Sequence, residues 1–199
     1  LGLACGGRAC LILLPSGGGK TTLAMQFLTS GDNDIKLISE DSPLIDSRGN
    51  LLPFPIRIGV LPDRLPGGIN PRYVHRYLRM EHGPKMTINL DCFGDKVCRK
   101  PVKPGWMILG ERIMSRESLL EPAHRTGILK YSLMNSVIGV GLYQGLEFMA
   151  QNSLRSSFGM FGRVLSRMNN NRRLISHSRI YRFSMGRDIK KNMEIITRL

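Results

Sequence analysis

Residues 11–25 read LILLPSGGGKTTLAM, and this stretch decides the fold. Leu11 to Leu14 is a short apolar run of the kind that forms a buried strand. Pro15-Ser16-Gly17-Gly18-Gly19-Lys20-Thr21-Thr22 follows, and then the start of an apolar-periodic helix. A strand, a glycine-rich turn carrying Gly-Lys-Thr and a helix are the parts of a phosphate-binding loop. Glycines let successive backbone N–H groups curl inward with no Cβ in the way. The helix adds its unpaired N–H groups and the positive end of its dipole. In this pattern Ser16, Gly17, Gly18, Gly19, Lys20, Thr21 and Thr22 cradle phosphate. Lys20 reaches the outer phosphates, and the Thr21 hydroxyl is placed for Mg²⁺. The usual G-x-x-x-x-G-K-[ST] pattern has its first glycine at the position held here by Leu14, and the next position is Pro15. It removes one N–H and holds φ at about −65°, but the donors come mainly from the later positions.

Working outward, Leu1 to Arg8 reads as the end of a strand and a Gly6-Gly7 turn, and Ala9 to Leu14 feeds the loop. On the other side, Thr21 to Leu28 is the helix, closed near Ser30-Gly31 with Gly31 as its C-cap. After a turn at Asp32-Asn33-Asp34, Ile35 to Ser39 (IKLIS) is a second strand, completing a βαβ unit. Glu40 and Asp41 follow directly. Ligands of open α/β sheets bind beyond the carboxyl ends of the strands. With the second strand beside the first, these two acids end near the phosphates. There they hold Mg²⁺ or accept a proton from an attacking hydroxyl. The alternative is that they simply open a loop, since Asp and Ser before Pro43 are also turn residues.

Further along, Pro43 to Pro53 reads as a hairpin turning at Asp46-Ser47-Arg48-Gly49-Asn50. Residues 53–60 are extended, and Leu61 to Asn70 is a Pro- and Gly-rich loop. Pro71 to Met80 is expected as a basic helix with Pro71 in its first turn. Lys85 to Leu90 alternates as a strand ending at Asp91, and a strand containing PGWMIL ends at Gly110-Glu111. Asp91 and Glu111 are therefore equal candidates for a second acid near Mg²⁺. Glu117 to Ala150 is expected to be mostly helical. Its part from Leu133 onward falls short of the roughly 20 apolar residues a membrane span needs, so a core helix or helix pair is expected. Ser153 to Met168 is an amphipathic basic helix, broken at Asn169-Asn170-Asn171. Ile180 to Phe183 is a last strand, and Met185-Gly186-Arg187-Asp188 starts a C-terminal helix.

The 199 residues suit one domain, helical and basic from about residue 115 onward. Lys and Arg number 29 against 15 Asp and Glu, a net charge of +14, which favours anionic partners. Residues 155–199 hold eleven basic residues and two acidic ones. They read either as solvated helices or as a docking surface for an acidic partner. Aromatic residues are sparse there, so no stacking platform for nucleic acid is expected. The four cysteines show no Cys-x-x-Cys spacing and no histidine completes a zinc pattern. Free thiols in a reducing, cytoplasmic compartment are expected. No charged segment precedes the Leu11–Leu14 run, which is not read as a secretory signal.

Taken in order, PSGGGKTT, LISEDSPLI, the hairpin, PFPIRIG and the closing YRFSMGRD resemble a known family. The chain resembles the catalytic domain of HPr kinase/phosphorylase, and more closely the HPr-kinase-like proteins of several bacterial gene clusters. The likeness is close over Leu11 to Gly59 and looser elsewhere. The resemblance implies an α/β phosphate-loop fold related to phosphoenolpyruvate carboxykinase, with a mixed sheet and a helical C-terminal part. It also implies ATP with Mg²⁺, and phosphoryl transfer to a serine of a protein or peptide. By position it makes Asp41 the catalytic base and Glu40 its metal-side companion, where family members usually have Asp. The family's R-G-x-G-x-x-N segment is missing, with only Cys92-Phe93-Gly94 after an alternating strand. That departure points away from HPr itself as the acceptor. A nucleotide-binding regulatory or assembly module is the alternative reading. A transporter-type ATPase ranks below both, since no Leu-Ser-Gly-Gly-Gln signature occurs.

Overall fold

Strands β1 (Gly2–Cys5) and β2 (Arg8–Leu13) form a hairpin whose two turn residues, Gly6 and Gly7, both have positive φ. A two-residue turn of that kind matches the twist of the strands it joins and suits glycine. The computed structural model describes residues 1–31, 34–79, 83–133 and 154–199. Helix α1 (Lys20–Thr29) leaves the end of β2 and leads to β3 (Ile35–Ser39). It ends at Ser30 rather than at the expected Gly31, because the Ser30 N–H and hydroxyl bond back to the carbonyls of Gln26 and Phe27.

The main sheet has the order β10-β11-β9-β2-β1-β3, with β9 at Pro104–Arg112, β10 at Leu119–Pro122 and β11 at Arg179–Met185. Strands β2, β9 and β11 run parallel, while β1 and β10 run antiparallel to their neighbours. The sheet is thus mixed, and the class is α/β. One expectation is corrected: β3 does not lie beside β2. The tight hairpin seats β1 against β2 first, and β3 then pairs with the far edge of β1. Being antiparallel to β1, β3 still runs parallel to β2, and Gly2 faces Leu11 on one side and Ser39 on the other. The carboxyl ends of β2 and β3 therefore share one edge of the sheet.

Alternate residues of the strands feed two cores. Leu3, Cys10, Ile12, Leu37, Ile108 and Phe183 pack with Leu23 and Phe27 of α1 and with Ile196 of the C-terminal helix α4 (Ile189–Thr197). Leu11, Ile38, Met107 and Ile180 pack on the other face with Ile128 of α2 (Arg125–Leu133) and with Leu174 and Ile175 of α3 (Leu154–Ser176). Each such fully buried side chain contributes about 1.5–3 kcal/mol. The expected hairpin is present as β4 (Leu44–Ile45) and β5 (Leu51–Leu52). A second sheet, ordered β6-β8-β7, comprises β6 (Ile58–Val60), β7 (Val74–Arg79) and β8 (Gly83–Ile88), and its Ile58 and Ile88 join the core beside α1.

Three helical expectations are revised. Residues 71–79 are a short 3₁₀ turn, Pro71–Tyr73, followed by β7, because pairing with β8 overrides local helix propensity. Within the stretch expected to be mostly helical, Leu119–Pro122 is instead strand β10, paired with β11, the strand expected at Ile180 to Phe183. The helix α3 runs straight through Asn169-Asn170-Asn171. Two of the side chains find partners instead of breaking it: Asn170 donates to the Ile45 carbonyl at 3.4 Å, and the buried Asn171 accepts from the Ser132 hydroxyl at 2.9 Å and donates to the Arg167 carbonyl of its own helix at 3.0 Å. The core-helix expectation for Leu133 to Ala150 falls almost entirely outside the described residues. Among the described residues no helix is long and apolar enough to cross a membrane. All four cysteines are free, as expected; Cys5, Cys10 and Cys98 are buried.

Candidate functional site

The glycine-rich turn closes on itself before α1 begins. The Gly18 N–H donates to the Pro15 carbonyl at 3.0 Å, and Gly17 and Gly19 take φ values of 74° and 95°. Those values are open to glycine and costly for other residues. The end of β11 closes in from one side, with the Met185 methyl 3.1 Å from where a Cβ on Gly19 would stand. The end of β9 does the same at Gly110, whose Cβ would lie 2.7 Å from Leu14. The Lys20 ammonium folds over the loop and donates to the Leu14 carbonyl at 2.8 Å and the Pro15 carbonyl at 3.1 Å. It spans the loop from its last residue to its first.

Across from the loop, β3 delivers its acids. The Thr21 hydroxyl donates to the Glu40 carboxylate, so the first turn of α1 and the end of β3 are in direct contact. Glu40 is half-buried and Asp41 exposed. A polar cavity of about 360 Å³ is bounded by Ser16, Gly17, Gly19, Lys20, Thr21, Thr22, Glu40 and Asp41. Eight of the nine residues expected at the site from the sequence thus line one space, all but Gly18. Gly18 is buried beneath it, where a Cβ would meet the Pro15 carbonyl at 3.0 Å.

The second acid is a different matter. Asp91 pairs with Arg99 at 3.0 Å on the exposed surface, and Glu111 pairs with Arg182 at 3.2 Å and accepts from Ser184. Neither borders the cavity. Two cations that sequence reasoning passed over do border it: Arg64 and Lys85. They come from the loop after β6 and from β8, and only the docking of the second sheet beside α1 brings them there.

Two further cavities share lining residues with the first. One, of about 630 Å³, runs along α1 past Thr22, Met25 and Gln26 to Val60, Leu61 and Pro66. The other, of about 460 Å³, extends from Glu40 and Asp41 to Phe54, Ile56 and Tyr77. Both sizes are in the range of small-ligand pockets. Set against known protein families, curated proteins and solved structures, the chain matches none.

Among the described residues no group of three or more His, Cys, Asp or Glu side chains is arranged to hold a metal. Mg²⁺ asks for less. It takes oxygen ligands, keeps several waters, and uses one or two carboxylates together with substrate phosphates. The Thr21 hydroxyl touching the Glu40 carboxylate is an oxygen pair of that kind, so the residues present fit the ion.

Proposed function

We propose that this protein is an ATP-dependent serine kinase of the HPr-kinase type, with a phosphate-loop fold. The observation that carries the reading is the contact between Thr21 and Glu40, which joins a glycine–lysine loop to a strand-end acid pair. The loop amides and Lys20 bind the phosphates. Thr21 and Glu40 hold Mg²⁺, which when bound offsets phosphate charge. Asp41 borders both the loop cavity and the cavity leading to Phe54 and Tyr77, so it faces donor and acceptor alike.

The acceptor is a serine of a protein or peptide, entering past Phe54, Ile56 and Tyr77, of which Tyr77 is 59% and Ile56 50% exposed. Asp41 takes the proton of the serine hydroxyl. The serine oxygen forms a bond to the γ-phosphorus, the bond from that phosphorus to the bridging oxygen breaks, and the electron pair stays on ADP. Most of the acceleration comes from positioning and from charge stabilisation.

The test is transfer of labelled γ-phosphate from Mg²⁺-ATP to a library of serine-containing peptides, with Asp41→Asn as control. Transfer lost in the variant supports the reading. Tight nucleotide binding with no transfer to any hydroxyl would leave a nucleotide-binding regulatory or assembly module.

A further inference from the structure

Lys85 is the residue that lines all three cavities found around the loop. It stands on β8, two positions from Thr87, which faces Gly59 of β6 in the ladder. Lys85 and Thr87 therefore share one face of the small sheet. Lys85 crosses that face over Gly59. A Cβ on Gly59 would lie 2.3 Å from Lys85 Cε and 2.6 Å from its Nζ. No side chain could stand there with the lysine in place. Gly59 does not have a positive φ, so its backbone does not itself call for glycine. The close crossing does.

The side chain so placed is half-buried, and among the described residues its ammonium makes no hydrogen bond or ion pair. Lys20, by contrast, is already engaged with the loop carbonyls of Leu14 and Pro15. Lys85 is thus a cation held without a partner where the loop cavity, the apolar cavity along α1 and the Asp41 cavity meet.

We infer that Lys85 is a phosphate-contacting residue: its ammonium grips the terminal phosphate of the bound nucleoside triphosphate from the side opposite the loop. Gly59 is the device that lets it reach. This rests on the nucleotide reading above and adds to it a specificity, for triphosphate over diphosphate. During transfer the same ammonium stays beside the moving phosphoryl group and offsets the charge on its oxygens.

The test is calorimetric titration of the intact chain with Mg²⁺-ATP and with Mg²⁺-ADP, for the wild type, Lys85→Met and Gly59→Ala. Lys85→Met should weaken Mg²⁺-ATP by about 10- to 100-fold, the worth of a charge-assisted hydrogen bond. Mg²⁺-ADP should change by less than about 3-fold on the same scale. Gly59→Ala should reproduce the selective loss with little change in Tm, since its methyl group displaces only the flexible end of a lysine. Equal weakening of both nucleotides, or of neither, in Lys85→Met would overturn the inference and leave the nucleotide site standing. A folded wild type that binds neither nucleotide would overturn the nucleotide reading and this inference with it.

Discussion

The hydroxyl of Thr21 donates to the carboxylate of Glu40, although 19 positions separate them in the chain. This bond couples the loop that would hold phosphate to the strand end that carries the acids. Glu40→Gln keeps a hydrogen-bond acceptor and removes the charge. It should leave stability within about 1 kcal/mol and raise the Mg²⁺ concentration needed for half-maximal transfer several-fold. Titrating activity with Mg²⁺ checks this; an unchanged requirement would remove Glu40 from the metal site.

Asp41 borders both the loop cavity and the cavity that runs to Phe54 and Tyr77. Asp41→Asn preserves size and removes the proposed base. Transfer should fall by about 100-fold or more, the usual worth of general base catalysis, while Mg²⁺-ATP affinity stays near that of the wild type. Single-turnover transfer beside equilibrium binding separates the two. Unaltered transfer would mean that another group takes the proton.

Lys20 bridges the two ends of the loop. Mg²⁺-ATP at 100 times its Kd should stabilise the wild type by about 2.7 kcal/mol. For a chain of this length that is a rise in Tm of roughly 5–10 °C. Lys20→Ala should abolish most of the rise. A thermal-shift series with both proteins measures it, and an equal rise in the variant would count against the loop as the phosphate site.

Asp46 organises the hairpin turn. Burial pushes its carboxyl up, but hydrogen bonds from the Asn50 side chain and from the N–H groups of Asn50, Arg48 and Gly49 outweigh this and hold it below its ordinary value of 3.8. The folded value lies below the unfolded one. The contribution is therefore complete above about pH 4 and is lost as the pH falls through the folded value. Asp46→Asn should flatten the fall in stability below about pH 4, as read by denaturant titrations at several acid pH values. Parallel curves for the two proteins would refute the assignment.

Asn192 is buried and closes a ring of hydrogen bonds: it accepts from the Ser118 hydroxyl at 2.7 Å and donates to the Gly186 carbonyl at 3.0 Å, while the Gly186 N–H donates to that hydroxyl at 3.0 Å. The ring ties α4 to the segment before β10. Asn192→Leu leaves its two partners without it and should cost about 2–4 kcal/mol. Equilibrium unfolding checks the loss.

Much of the site was legible in the chain, because its parts are local. Gly17 and Gly19 occupy backbone conformations that few other residues take, and Lys20 and Thr21 sit beside them by covalent connection. The hairpin at residues 44–52 was legible for the same reason: Asp46 bonds to groups no more than four residues away. Residues 71–79 misled, since their strand exists only through pairing with β8. The triple asparagine misled too, since the Asn171 side-chain oxygen is satisfied in the helix by Ser132, 39 positions earlier. Lys85 left one trace, a glycine in an extended segment, which marks a close approach without saying of what.

The sequence by itself determined the loop, its helix, the strand that ends in Glu40 and Asp41, and the mixture of strands and helices. Those follow from backbone freedom, apolar periodicity and turn chemistry, which act over a few residues. The tertiary structure alone decided that β1 lies between β2 and β3, that Glu111 is engaged by Arg182 rather than facing the loop, and that Arg64 and Lys85 complete the cavity. These depend on which distant edges and faces meet. That choice is made by burial and strand pairing summed over the whole chain, and no short window of residues carries it.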